Sequence, residues 1–86
     1  MNLKRVAVIS AILEGPEVCQ HEFNDIVSEH KSIVKGRMGL PFEDGQIAVI
    51  ALTVAATPDE INSFNGKLGK IENVTVKTII SKKEIE

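Results

Sequence analysis

The sequence predicts an α+β fold, with four antiparallel strands in one sheet and two helices on one face of it, in the order βαββαβ. Two runs of β-branched and apolar residues, 6–13 and 47–56, have the length and composition of buried strands. Each run is followed by a segment with helical spacing that begins at a proline, Pro16 or Pro58. The chain has 86 residues, enough for one core, so residues 1–86 are expected to form a single domain.

The first strand and the first helix meet at Gly15-Pro16. The run VAVISAIL at residues 6–13 predicts the strand, because β-branched side chains favour extended backbone. Pro16 suits the first position of a helix, where its missing N–H costs nothing. The helix that follows is predicted to turn one side towards the core, made of Val18, Cys19, Phe23, Ile26, Val27 and His30.

The middle of the chain predicts a hairpin. Residues 32–40 form the second strand, which contains Gly36 and Gly39, and residues 47–56 form the third. Residues 41–46 connect the two as a turn, since the pair Asp44-Gly45 is typical of hairpin connections.

The second helix has the clearest start in the chain. In the stretch TPDE, Thr57 stands at the N-cap, Pro58 at the first helical position and Glu60 where a capping box requires it. Two glycines weaken the C-terminal half, each by roughly 1 kcal/mol relative to alanine. The helix is therefore expected to end near Gly69.

Residues 73–81 form the last strand, and this order of elements is the ferredoxin-like arrangement, with the first and third strands in the centre of the sheet. The first and third strands are apolar on both faces, as central strands should be, whereas the second and fourth are apolar on one face. The helices cover one face, so the other is left with an apolar centre, and we expect self-association through the sheet. The charges expected at the rim of that open face are Lys35, Arg37 and Lys77.

Charge and composition argue against several classes of partner. The formal net charge is −2, and the chain has three Phe but no Trp or Tyr, so neither a basic field nor a base-stacking surface is expected, and no direct nucleic acid contact. The longest apolar run, 47–56, is too short to span a bilayer, and no signal-peptide pattern precedes the first strand. A single cysteine fits a reducing compartment. The expected location is the cytoplasm, without membrane association.

The spacing of Cys19, His21 and His30 does not suit a metal site. Cys19 and His21 point to nearly opposite sides of a helix, and Cys19 and His30 are about 16 Å apart along its axis. His21 and Asp25 are four residues apart and are expected to form a surface pair. We therefore predict no metal, no cofactor and no catalytic residues, and Cys19 is expected to pack in the core. Metal ligands shared across a subunit interface stay open.

Four residues are candidates for binding a ligand: Gly15, Gly36, Arg37 and Gly39. Gly15-Pro16 is explained either as the turn that ends the strand and starts the helix or as part of a backbone-lined pocket at a helix N-terminus, where N–H groups hold an anion. Arg37, between two glycines on an edge strand, either protects that edge from pairing or grips a carboxylate or phosphate. The residues alone leave both pairs of interpretations open.

The stretches RVAVISAIL, GRMGLPFEDGQIAVIALTV and TPDEINSFNGKLGKIENVTVKTIIS resemble the family of small proteins described as iron-only hydrogenase system regulators. The resemblance runs from about Arg5 to Ser81, and its most specific motifs are GRMGLP and NGKLG. It implies an ACT-like domain, similar to the C-terminal ligand-sensing half of nickel-responsive repressors. The strands of this chain lack the histidines and cysteine of the repressors' nickel site, and the repressors' DNA-binding segment is missing.

The expected function is thus a non-enzymatic regulatory, ligand-sensing module. Its partners would be further copies of itself and an unknown small ligand or protein partner. Two alternatives stay open, a small accessory enzyme or metal-handling protein of hydrogenase assembly and a purely structural oligomerisation domain.

Overall fold

The computed structural model of the protein describes residues 3–86. Its elements are β1 (Lys4–Glu14), α1 (Pro16–Glu29), β2 (Val34–Phe42), β3 (Ile47–Ala56), α2 (Pro58–Gly69) and β4 (Val74–Ile85). The strands form one antiparallel sheet in the order β2-β3-β1-β4. The predicted ferredoxin-like βαββαβ fold, with the first and third strands in the centre, is confirmed.

The core lies between the two helices and one face of β1 and β3. Alternate residues of these strands are buried, because successive side chains of a strand point to opposite faces. Burying one large apolar side chain stabilises the fold by roughly 1.5–3 kcal/mol. The largest fully buried side chains are Phe23, Phe64, Ile9, Leu13, Leu52, Ile61, Leu68 and Val54.

The first helix buries a narrower stripe than its sequence predicts. Cys19, Phe23 and Val27 are buried as expected, but Val18 is 71% exposed, so its predicted place in the core is wrong. Val18 precedes Cys19 by about 100° around the helix, which turns its side chain away from the sheet. His30 is the C-cap, and its ring stacks on Phe64 of α2 with centroids 4.4 Å apart.

The second helix begins and ends where the sequence predicts. Thr57 is the N-cap, the capping box with Glu60 is formed, and Gly69 is the last helical residue. The helix buries Ile61, Phe64 and Leu68 at spacings of three and four, so one face packs against the sheet.

Both edge strands differ from their predicted bounds. The sequence predicts the second strand over residues 32–40, but β2 begins at Val34 and continues through Phe42. The connection to β3 is therefore shorter than predicted and contains a 3-10 turn at Glu43–Gly45. The sequence predicts that the fourth strand ends at residue 81, but β4 continues to Ile85 because an irregularity between Arg5 and Ala7 brings Lys4 opposite Ile85. Such bulges are common at sheet edges.

Candidate functional site

A cleft of about 320 Å³ lies between the start of α1 and the edge strand β2. We call it the α1–β2 cleft. Its lining comes from α1, β2, the 3-10 turn and β3, and consists of Pro16, Gln20, Arg37, Gly39, Leu40, Pro41, Gly45, Ala48 and Ile50. Arg37 is the one charged residue among these nine, so the cleft carries a positive charge within largely uncharged walls.

Arg37 lies on the helix-covered side of the sheet, so the predicted position at the rim of the open face is wrong. It pairs with Leu52, whose side chain is fully buried beneath the helices. The reason is a bulge in β2, where Val34 pairs with Val54 but Gly36 pairs with Thr53, which leaves Lys35 as an extra residue. One extra residue moves every later side chain of a strand to the opposite face.

Two residues of α1 hold the Arg37 side chain. Its Nη2 donates a hydrogen bond to Asn24 Oδ1 at 2.8 Å, and its Cζ lies 5.8 Å from the centroid of the Phe23 ring. A guanidinium at this distance from an aromatic face gains a cation–π attraction. These contacts orient a side chain that would otherwise be free at an exposed edge strand.

Gly39 borders the same cleft and keeps it open. It pairs with Ile50, on the same side of the sheet as Arg37. A Cβ atom at this position would lie 3.8 Å from Ile50 Cγ1, which is an ordinary contact. Any larger side chain at position 39 would therefore extend into the space beside Arg37.

Gly15 and Gly36 lie outside the lining of the cleft. Gly15 has φ 76°, which favours glycine, and its N–H donates to the carbonyl of Gln46 at 2.8 Å. Its neighbour Pro16 does line the cleft. Gly36 is opposite Thr53 on the open side of the sheet. Of the four candidate ligand residues, the fold thus places Arg37 and Gly39 together, Gly15 beside them and Gly36 apart.

The sequence analysis did not predict that Gln20 lines the α1–β2 cleft, nor that the cleft has an apolar wall. Gln20 follows Pro16 by four residues, so both lie on one face of α1, and this spacing was a usable signal. The wall formed by Pro41, Ala48 and Ile50 had no local signal, because it depends on the register between β2 and β3.

A second cavity, of about 410 Å³, lies between the end of α1 and the start of α2. His30 Nδ1 is 2.8 Å from the carbonyl oxygen of Ile26, and Glu60 is engaged in the capping box. Within residues 3–86, no three His, Cys, Asp or Glu side chains come together in a group that could hold a metal ion.

Cys19 is a packing residue, as predicted. Its side chain is 2% exposed, and the thiol lies 3.7 Å from the carbonyl oxygen of Gly15. Burial raises the pKa of the Cys19 thiol above its ordinary value, which keeps it protonated and unsuited to nucleophilic attack. His21 and Asp25 form the expected surface pair, with Nε2 and Oδ2 3.4 Å apart.

The open sheet face is the other distinctive surface. In residues 3–86, eight large apolar side chains are exposed, and all but Val18 lie on the sheet side that the helices leave uncovered. Half-buried residues of β3 lie between them, among them Val49 and Ala51. The exposed members of the open sheet face are Val6, Val8, Ile12, Met38, Leu40, Phe42 and Ile79.

Residues 5–78 match the family model TM1266-like, whose description is "Iron-only hydrogenase system regulator, putative". The chain belongs to this family. In structure it is similar to a protein titled uncharacterized protein TM1266 from Thermotoga maritima, with 29% sequence identity and a TM-score of 0.86. The match covers 92% of this chain and 99% of that one. No curated protein sequence matches the chain.

The predicted family resemblance is therefore confirmed for this TM1266-like protein, together with its α+β architecture. Among the helices of residues 3–86, none combines the length and apolar character needed to cross a membrane.

Proposed function

We propose that this TM1266-like protein is a non-enzymatic, ACT-like regulatory module of the iron-only hydrogenase system that senses a small ligand and works as a homo-oligomer. The observation that carries the proposal is the open sheet face, where seven large apolar side chains are exposed. Single exposed apolar residues are normal, but a contiguous patch of this kind marks an interaction surface.

The size of the face fits association with a second copy of the chain. Strands about 4.8 Å apart, with a rise of about 3.3 Å per residue, give a four-stranded face of roughly 20 × 30 Å, on the order of 600 Å² in projection. A standard interface buries about 800 Å² of accessible surface on each partner. Because accessible area exceeds projected area, the open sheet face alone approaches that requirement.

The charge pattern also favours a second copy as the partner. In the described part of the chain, the charged residues at the outward positions of the central strands, Lys4 and Glu14, lie at the two ends of β1. The outward positions between them hold apolar residues, Ser10 and Thr53. Lys77, opposite Ser10, lies on the edge strand β4. The centres of two such faces can therefore meet without burying an unpaired charge, which would be costly.

The α1–β2 cleft favours a sensing module over a purely structural oligomerisation domain. An oligomerisation domain needs only its interface, whereas this chain also has a cleft lined by a positioned Arg37 on the side opposite to the open sheet face. The strand β2 contributes to both surfaces, with Arg37 and Gly39 in the cleft and Met38 on the open sheet face. Leu40 belongs to the lining of the cleft and is also exposed on the open sheet face. A ligand in the cleft would thus touch the strand that borders the interface.

Sedimentation velocity tests the oligomer. We expect the wild-type protein to sediment as a dimer or larger species at tens of micromolar, and the Val49→Lys variant to sediment as a folded monomer. The matched control is Val18→Lys, which places the same charge at a position that is already 71% exposed on α1 and should leave the oligomer intact. A monomeric wild type, or a Val49→Lys variant that associates normally, would refute the proposal.

A further inference from the structure

We propose that the α1–β2 cleft binds a small organic anion, with a single carboxylate or phosphate group on a short apolar body, and that Arg37 receives the anionic group. This inference rests on the ligand-sensing part of the proposed function and names the chemical class of its ligand. It follows from the charge, the shape and the size of the cleft.

The charge of Arg37 is oriented without being neutralised. The ion pairs of residues 3–86 are Arg5 with Glu84 and His21 with Asp25, so Arg37 has no carboxylate partner there. Its hydrogen-bond partner is the neutral amide of Asn24, and the Phe23 ring also carries no charge. A guanidinium has five N–H groups, and one of them is used by Asn24. The other N–H groups of the oriented guanidinium can form charge-assisted, bidentate hydrogen bonds to a carboxylate or phosphate.

The walls of the cleft suit an apolar body rather than a second charge. Pro16 and Pro41 are rigid and uncharged, and Ala48 and Ile50 are apolar. Gln20 contributes a side-chain amide, which can donate to an oxygen or accept from a hydroxyl or amine of the ligand. A few polar groups in an otherwise apolar concave site are typical of small-molecule binding sites.

The size of the cleft restricts the ligand to a small molecule. Its volume of about 320 Å³ is at the lower end of the range of ligand pockets, roughly 300–1,000 Å³. The absence of a side chain at Gly39 preserves part of that space beside Arg37. Since Gly39 has no positive φ and a Cβ there meets only ordinary contacts, strand geometry does not require glycine at this position.

An amide-detected NMR titration with chosen probes tests the inference. Benzoate and phenyl phosphate carry the two anionic groups on one ring, and benzamide is the neutral match of benzoate. We expect saturable shifts of the Gly39 and Gln20 amides with benzoate, with phenyl phosphate or with both, and none with benzamide. Shifts with benzoate alone assign a carboxylate ligand, and shifts with phenyl phosphate alone assign a phosphate ligand.

Variants separate the role of the charge from the role of the space. Arg37→Gln should weaken binding about tenfold or more, because it removes a charge-assisted hydrogen-bond pair. Gly39→Val should abolish binding by filling the cleft. The matched control is Gly36→Val, on the open side of the same strand, where an added Cβ meets nothing within 4 Å and binding should persist.

Three outcomes would overturn the inference. They are equal shifts with benzamide, no saturable shift with either anion up to tens of millimolar, and unchanged affinity in a folded Arg37→Gln variant. The titration is read at individual amides and needs no particular oligomer, so its failure would leave the sedimentation result standing. A monomeric wild type, conversely, would leave the titration interpretable.

Discussion

Thr57 and Glu60 hydrogen-bond each other in both directions across the first turn of α2. The backbone N–H of Glu60 donates to Thr57 Oγ1 at 3.3 Å, and the backbone N–H of Thr57 donates to Glu60 Oε1 at 2.9 Å. The Thr57 hydroxyl donates to the same carboxylate oxygen at 3.1 Å. The start of α2 is thus stabilised by hydrogen bonds between two residues that lie three positions apart in the sequence.

Loss of this cap should lower the stability of the whole domain. Thr57→Ala removes the acceptor for the Glu60 N–H and should reduce the free energy of unfolding by about 0.5–2 kcal/mol. Urea denaturation followed by circular dichroism measures the change. Thr57→Ser keeps a hydroxyl at the cap and is the control. An alanine variant as stable as the wild type would contradict this assignment of the helix start.

The same contact makes part of the stability depend on pH. The hydrogen bond from the Thr57 backbone, and then that from its hydroxyl, lowers the pKa of Glu60 below its ordinary value. A carboxyl whose pKa is lowered by folding contributes stability above its unfolded pKa of about 4.3 and loses it as the pH falls through the folded value.

Glu60→Gln tests this dependence, because glutamine keeps the oxygen acceptor but cannot ionise. We expect the wild type to be more stable than the variant at neutral pH, with the difference shrinking as the pH falls below about 4. Urea denaturation of both proteins at several pH values gives the difference between their free energies of unfolding. The titrations of the other groups contribute almost equally to both proteins and largely cancel in this difference. A difference that is constant with pH would show that the charge of Glu60 does not contribute.

The thiol of Cys19 should react slowly in the folded protein. It is 2% exposed and its pKa is raised by burial, so both access and thiolate formation oppose labelling. The measurement is the labelling rate with a chromogenic disulfide reagent, compared between native protein and protein unfolded in urea. Equal rates would place Cys19 outside the core. Cys19→Ala should cost on the order of 1 kcal/mol and leave anion binding unchanged.

Gly66 should be replaceable by alanine with a gain in stability. It lies inside α2 without a positive φ, and an added Cβ would meet nothing within 4 Å. Gly66→Ala should therefore stabilise the domain by roughly 0.5–1 kcal/mol, because alanine loses less backbone entropy in a helix. The comparison is Gly69→Ala, where the Cβ would lie 3.3 Å from Val76 Cγ2 and the gain should be smaller. Thermal denaturation of both variants measures it, and a loss at Gly66 would contradict the assigned helix geometry.

Substitution by lysine should affect folding at one residue of β1 and association at its neighbour. Ile9 is fully buried under the helices, whereas Val8 is 38% exposed on the open sheet face. Ile9→Lys should abolish folding, since it buries an unpaired charge, whereas Val8→Lys should fold and dissociate the oligomer. Circular dichroism reports folding and sedimentation reports association. A folded Ile9→Lys protein beside an unfolded Val8→Lys protein would reverse the assignment of the two faces.

The order of the elements and the residues at which the two helices begin could be predicted from the sequence, because these features depend on residues close together in the chain. Thr57 and Glu60 define the start of α2 within one turn. The strands β1 and β3 carry apolar residues on both faces, and this composition indicates that they are the central strands of the sheet. The family follows from the same local motifs, over residues 5–78.

The side of the sheet on which Arg37 lies was decided only by the tertiary structure. Strict alternation from Val34 places Arg37 on the face opposite to Val34, but the unpaired Lys35 puts both on the same side. That bulge depends on pairing with residues some twenty positions away, including the bond from the Ala55 N–H to the Ile33 carbonyl at 3.0 Å. The α1–β2 cleft exists because this pairing, and not any local pattern, brings Arg37 and Gly39 beneath Asn24 and Pro16.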